Sequence, residues 1–532
     1  MNGKRVGLLV LGAAYALALG AVGWRAWTSR APGRVTIRIS HWQLEGTVRD
    51  GIAAVISRYE QINPRVHVVP VVVPDGSYIE WMQAQLAGGT GPDLVEYTMF
   101  WGRIQELAPR YFLPITAEVA RPNPYNRGTP MESVPWRDTF IDGMSNPDGY
   151  VRLLHQYYAP TIAMFTMRIF YNRTLLREIT GGDSPPRTWR EFLSLCDAVR
   201  ARARERGLVL FPMANSQENC RWITEPVMQG LGSRASARLD IDHALEVSME
   251  EGEIGYLRGD WNYRTPEIAD GLAVLRDLGN NSQPGFVQVG RDVAMMEFLR
   301  GNAVMICAGS WDASSLLKEA SFEVGAFRLP LPGAEDAEYG PRSLGPLSDG
   351  SVATSTPFYL NQDSPHRAEA LDFLHFLTSV EGNQIFVDRS QWLPAIRGVR
   401  PTLFSLQFKP YYGGYCWTPE GCVFFSGLGE DMNQLFLREM NQLFGPAGGV
   451  GRMQEALERV APEGIGRDIR AYLRDAKLSF NGADAGFAAG RRLGSAPGLP
   501  APAGLLAPAG LLEARYYQVR EALDQAPPGR IR

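Results

Sequence analysis

The chain has 532 residues, 45% of them apolar and 10% aromatic, and its 53 basic and 57 acidic side chains leave a net charge of −4. That length admits two or three domains with a large core, and the composition is that of a globular protein. Lys and Arg form no block of the kind that tracks a phosphate backbone, so nucleic acid is excluded as a partner.

Lys4 and Arg5 precede an apolar run from Val6 to Trp24. It is long for the apolar region of a signal peptide and just long enough to span a bilayer. Arg25, Arg30 and Arg34 follow and weaken the charge asymmetry that would fix an orientation. The first cysteine is Cys196, which excludes a lipoprotein anchor. Residues 1–34 therefore read as an export signal, either cleaved or kept as an inner-membrane anchor through residues 6–24. The mature chain is expected in the periplasm or another extracytoplasmic space. Beyond this leader, Val35, Ile37 and Ile39 alternate with polar residues as a first strand. Ile52, Ile56, Tyr59 and Ile62 recur at helical spacing, and Asn63-Pro64 ends that helix. Val66 to Val73 is a second, nearly continuous apolar strand of the kind covered on both faces. A helix from Gly76-Ser77 to Leu86 and a third strand from Leu94 to Tyr97 complete a rhythm that means an α/β chain with doubly wound sheets.

Further along, Thr188 and Glu191 form a capping box ahead of the buried stripe Phe192, Leu195, Cys196 and Val199. Phe298-Leu-Arg-Gly-Asn-Ala-Val-Met-Ile-Cys-Ala-Gly-Ser-Trp311 reads as a helix end broken at Gly301, a short strand from Ala303, a turn at Gly309, and an indole at the strand's carboxyl end. Open α/β sheets keep their ligand crevices at that end. Ser364 and Pro365 predict the cap and first residue of another helix, with Ala370, Phe373, Leu374 and Leu377 facing its core. Val324 to Pro330 and Tyr158-Ala159-Pro160 are extended, punctuated stretches that suit crossings between lobes. From about residue 481, Ala, Gly and Pro dominate, as in a flexible tail; Leu511 to Leu523 fits a short amphipathic helix within it.

The segment from Phe298 to Trp311 closely resembles a signature of the bacterial extracellular solute-binding proteins, the sugar-type receptors of ABC importers. Five more stretches match that family in its order: Gly88-Gly89-Thr90-Gly91-Pro92-Asp93-Leu94, Phe170-Tyr171-Asn172-Arg173-Thr174-Leu175, Pro186-Arg187-Thr188-Trp189-Arg190-Glu191-Phe192, Ala368 to Gly382, and Gln391-Trp392-Leu393-Pro394-Ala395. The matches span roughly residues 35 to 480. In place of the family's Gly-Gly pair after the second crossover stand Leu344-Gly345-Pro346-Leu347 and a polar run from Ser348 to Ser355. The resemblance implies a two-lobed, periplasmic-binding-protein-like fold of type II. Residues 35–160 and 328–385 would form one lobe, 161–327 and 386–480 the other, and 481–532 a C-terminal tail. It further implies a carbohydrate ligand, mono- or oligosaccharide, between the lobes, ABC permease subunits as partners, and a monomer without cofactor or metal.

A sugar receptor needs aromatic platforms for C–H faces and polar groups for hydroxyl edges. The candidates at predicted strand ends are Trp42 and Glu45 after the first strand, Glu96, Tyr97 and Trp101 at the third, Trp311 and Asp312 after the signature strand, and Trp392. Asn215, Glu218 and Trp222 form a polar loop that is a secondary candidate. Cys416 and Cys422 bracket a Pro-Glu-Gly turn and are a candidate disulfide in an oxidising compartment. A secreted carbohydrate-active enzyme, or an anchored sensor on the same fold, is the alternative. No spacing singles out a glycosidase acid and base, and no Gly-x-Ser-x-Gly elbow, His-Glu-x-x-His pair or dinucleotide fingerprint occurs, so no catalytic residue is assigned.

Overall fold

β1 (Val35–His41) and β2 (Val66–Val72) run parallel, Val35 opposite Val66 and His41 opposite Val72, joined by the helix Gly46–Ile62. This computed structural model describes residues 34–98, 104–151, 154, 156–349, 354–414, 422–425, 429–494 and 506–532. The helix Asp75–Ala87 leads to β3 (Leu94–Glu96), parallel to β1. The turn before β3 is a staple. Asp93 accepts the Arg38 N–H and the Ser364 hydroxyl at 2.6 Å each, tying three distant segments to one buried carboxylate. That use of Ser364 delays the following helix. Ser364 accepts the His366 N–H, and the helix runs Arg367–Leu377 rather than starting at Pro365.

A hairpin of β4 (Tyr150–Val151) and β5 (Gln156–Tyr157) precedes β6 (Thr161–Met164), and β7 (Met167–Asn172) follows after two residues. Asn172 then caps the helix Arg173–Thr180 through the Leu175 N–H. The Thr188 hydroxyl caps the helix Trp189–Arg206, but Glu191 turns to the Arg187 N–H instead of closing the box. β8 (Phe211–Ala214), β9 (Ala303–Gly309) and β10 (Val324–Phe327) belong with β7, whereas β11 (Thr354–Leu360) and β12 (Leu393–Pro394) pair with β6. Among the described residues, then, one sheet has the order β12-β6-β11-β3-β1-β2 and a second has β10-β7-β9-β8. Both are mixed: β11 is antiparallel to β3 and β6, and β7 is antiparallel to β9.

The central strands of both sheets are buried on both faces, which is why they read as continuous apolar runs, whereas the edge strand β2 is partly exposed from Val69 to Val72. Along β9, Val304, Met305 and Cys307 enter one core cluster while Ala303, Ile306 and Ala308 enter another. In the first sheet, Leu94 and Phe358 face one core while Val95 and Tyr359 face the opposite one. The two sheets define two lobes. A lobe division at 160 and 385 puts β6 and β12 in the second lobe, but both strands hydrogen-bond into the first sheet. The helix Val380–Ser390 likewise packs on the helix Gly46–Ile62, with Phe386 closed over Gly51. The chain thus crosses three times: at 165–166, between β10 and β11, and after β12.

Residues 506–532 are docked rather than loose. The helix Val450–Gly494 is answered by the helix Leu506–Gln525, whose Val519 and Ala522 enter the second lobe's core. Tyr516 packs with Ala476, Arg530 lies 3.8 Å over the Tyr256 ring, and the Arg532 N–H reaches the Pro462 carbonyl at 2.8 Å. Composition alone hides this, because three apolar contacts per helix suffice for docking on a partner already in place. Among the described residues no helix is long and apolar enough to cross a membrane. The run from Val6 to Trp24 lies outside them, as do Trp101 and Cys416.

Candidate functional site

Two loops, one from each lobe, carry most of the singled-out residues. The first leaves β1 at His41 and turns through Trp42 to Glu45 into the helix Gly46–Ile62. Its geometry is set from below by Glu96, fully buried at the end of β3. Glu96 accepts the Gln43 amide at 2.7 Å and the Trp42 N–H at 3.2 Å. Burial pushes its carboxyl well above the usual carboxylate range, although both hydrogen bonds pull the other way. The Trp42 indole is half-buried, edge-on to Tyr78 at 5.4 Å. Burial, with the charge of Arg49, lowers His41 to about 4, so its ring is neutral at neutral pH. Tyr97 is buried against Tyr359 at 6.2 Å.

The second loop leaves β9 at Gly309, makes a single tight turn over Ser310–Asp312, and enters the helix Ala313–Glu319. Gly309 has an ordinary φ of −77°; it is needed for room, since a Cβ there would overlap the Trp311 indole. That indole is half-buried among Phe165 at 5.5 Å and Trp222 at 5.3 Å, both edge-to-face. Trp392 is fully buried between Phe165 and Phe386, and its Nε1–H donates to the Trp311 carbonyl at 3.2 Å. It supports the platform from behind. Asp312 is buried and pairs with Arg291, whose guanidinium also lies 5.7 Å from the Trp222 ring.

Arg291 has no sequence signal: it opens a helix after Gly290, like many surface arginines. The supposed polar loop around Trp222 is largely helix. Ser216 caps the helix Gln217–Leu231 through the Asn219 N–H. Asn215 is spent on that junction, its N–H donating to Gln283 and its side-chain amide to the Ser282 hydroxyl. Glu218 accepts the Arg291 N–H at 3.0 Å, so it anchors the Arg291 helix.

Buried polar atoms are nearly always hydrogen-bonded, and each exception asks for a reason. Such exceptions occur along the chain among the described residues; four of them, Glu45 Oε2, Thr47 Oγ1, Asp312 Oδ2 and Ser314 Oγ, lie on the two loops or in the first turn of the helices they enter. The helices that the two loops enter lie close together. A Cβ on Gly46 would lie 4.0 Å from the Lys318 ammonium, so the start of one lobe's helix meets the helix that follows the other lobe's indole. Other hollows lie elsewhere. One of about 130 Å³ is lined by Gln217, Cys220, Val287 and Met440, and one of about 390 Å³ lies between 184–187 and 327–330. Neither holds a residue of the two loops.

Asp240, Asp242 and Glu251 bring carboxylate oxygens within 4.8 Å of one another, as a cation site would. Their oxygens are already engaged. Glu251 accepts the Ile241 and Ser248 N–H groups, Asp240 those of Ala244 and Leu245, and Arg515 reaches Asp242 at 2.6 Å and Glu251 at 3.4 Å. An arginine from the C-terminal helix supplies the positive charge. Cys422 is buried, with its thiol pushed up by burial.

Two mixed α/β lobes joined by three crossings are the architecture of a two-lobed solute-binding protein. The chain belongs to the bacterial extracellular solute-binding protein family, whose model matches residues 45–384. It is similar to a multiple sugar-binding protein of Streptococcus mutans, 20% identical over 400 residues that make up 75% of this chain and 84% of that one. Among solved structures it resembles apo RafE from Streptococcus pneumoniae, with a TM-score of 0.54 and 18% identity, covering 80% of this chain and 97% of that one. It also resembles the maltose/maltodextrin-binding domain MalE from Bdellovibrio bacteriovorus bound to maltotriose, with a TM-score of 0.51 and 17% identity, covering 80% of this chain and 100% of that one.

Proposed function

We propose that this protein is the extracytoplasmic receptor of an ABC importer, which closes on a mono- or oligosaccharide and hands it unchanged to membrane permease subunits. The observation that carries this reading is a half-buried indole on the loop after β1 and another on the loop after β9, each near a carboxylate with one unpartnered oxygen, Glu45 and Asp312. Sugar C–H faces stack on indoles, and sugar hydroxyls donate to such oxygens. The relatives' sugars, maltotriose among them, point the same way. Trp42, Glu45, Trp311 and Trp222 are assigned to ligand contact, with Asp312 Oδ2 as acceptor and Trp101 as a further platform. Glu96, Tyr97 and Trp392 are assigned to holding those groups in place.

On this reading the first lobe comprises 35–164 and 354–394, and the second takes the rest from β7 to the docked C-terminal helix. The protein works as a monomer, with residues 6–24 either removed on export or kept as an anchor. Thermal-shift screening of residues 34–532 against a carbohydrate panel that includes maltotriose tests the proposal. A ligand that binds only the folded state raises the melting point by mass action, and Trp311→Ala should abolish most of that rise. A panel without a single stabilising sugar, or a full rise in the Trp311 variant, refutes the assignment.

A further inference from the structure

One buried cation joins all three crossings between the lobes. Arg168 stands on β7 two residues after the first crossing ends, with 3% of its side chain exposed. Its Nη2 donates to Asp349 Oδ2 at 2.9 Å, to the Lys409 carbonyl at 2.9 Å and to the Phe408 carbonyl at 3.3 Å. Asp349 belongs to the second crossing, and Phe408 and Lys409 to the third. Asp349 tightens the junction: its carboxylate accepts the Tyr411 N–H at 2.8 Å, and its own N–H donates to the Tyr411 carbonyl at 2.6 Å. Arg328, at the start of the second crossing, lies 3.7 Å from the same carboxylate with its guanidinium over the Tyr411 ring.

The first crossing connects this junction to the indole platform. The Thr166 hydroxyl donates to the Phe408 carbonyl at 2.8 Å, the same oxygen that Arg168 uses. The Thr166 backbone also exchanges two hydrogen bonds with Ser310, at 2.9 and 3.2 Å, and Ser310 immediately precedes Trp311. The guanidinium's N–H groups point in fixed directions on a planar group, so these acceptors are held in one geometry, whereas a lysine ammonium turns on a flexible stem.

We infer that Arg168 is a positioning residue: by gripping Asp349 and the carbonyls of 408 and 409, it sets how far the lobes open and where the Trp311 indole stands. The inference rests on the receptor reading for the purpose of that indole, but the junction itself does not. The test uses Arg168→Met/Asp349→Leu, which removes both charges, and Arg168→Lys, which keeps a charge without the fork. Both are read without ligand, by small-angle X-ray scattering and tryptophan emission. The neutral pair should melt cooperatively, change its radius of gyration and shift its emission maximum, with the lysine variant in between. The emission shift should vanish in a Trp311→Phe background. A folded neutral pair that superposes on the parent in scattering and emission overturns the inference, as does an emission shift that survives in that background. Should the neutral pair fail to fold, Asp349→Asn carries the same readouts, and parental scattering and emission there overturn it equally. Since every signal comes from ligand-free protein, a carbohydrate panel that yields no binder counts against the receptor reading and leaves this result standing.

Discussion

At the scale of single residues, what matters is how tightly each indole is held. Gly309 leaves no room for a methyl group beside Trp311, so Gly309→Ala must move the ring. We expect it to cost roughly 1–3 kcal/mol, as overpacking does, and to change tryptophan emission more than any alanine placed at open Gly290; near-identical melting and emission would show that the ring has slack. His41 makes a pH prediction. Its folded pKa of about 4 lies below the unfolded 6.5, so between these values the unfolded chain takes up a proton that the fold refuses. Stability contributed by the neutral ring is present above pH 6.5 and is lost as pH falls toward 4, by roughly 3 kcal/mol in total. Chemical denaturation of the parent and of His41→Asn across this range checks it: the variant should lose less stability on acidification. Glu96 has the opposite sign, because its raised pKa makes the protonated acid the favoured form and erodes stability as pH rises through the carboxyl range.

At the scale of elements, the C-terminal helix Leu506–Gln525 is a structural part of the second lobe. Val519 is fully buried in that lobe's core. Val519→Asp should therefore cost about 3 kcal/mol or more, whereas Tyr517→Asp, on the exposed side, should cost under ~0.5 kcal/mol. Equal melting points for the two would mean that the helix does not stay docked. This helix also shows where sequence reading runs out. Strand β9 and the indole after it were legible because apolar period, a positive-φ Gly301 and a strand end coincide over fourteen residues. The Gly-Pro-Asp turn was legible as a motif, but its job of stapling Arg38 to Ser364 was not, because those partners are far apart in the chain. A helix over Leu511–Leu523 was legible, but its firm docking was not, since Ala, Gly and Pro flank it and its apolar face is only a few residues wide. Likewise, Glu96, Tyr97 and Trp392 carry the residue types of a sugar site, and only burial tells a support from a contact.

At the scale of the whole molecule, a ligand that touches both loops favours the closed arrangement by its differential affinity for it. Scattering at saturating concentration of whichever sugar raises the melting point should give a smaller radius of gyration than the ligand-free protein; an unchanged radius would leave binding without closure. The order of strands has a separate consequence. The edge strand β12 completes the first sheet by pairing Leu393 with Met164, and the last helix is set only when Val519 arrives. Neither half of the molecule is a contiguous stretch of chain, so neither can be finished early during synthesis. Such sequence-distant pairing makes maturation slow. The first sheet lacks its edge strand until Leu393 is in place, and because each half is assembled from separate stretches of chain, no single cut places each half whole in its own piece.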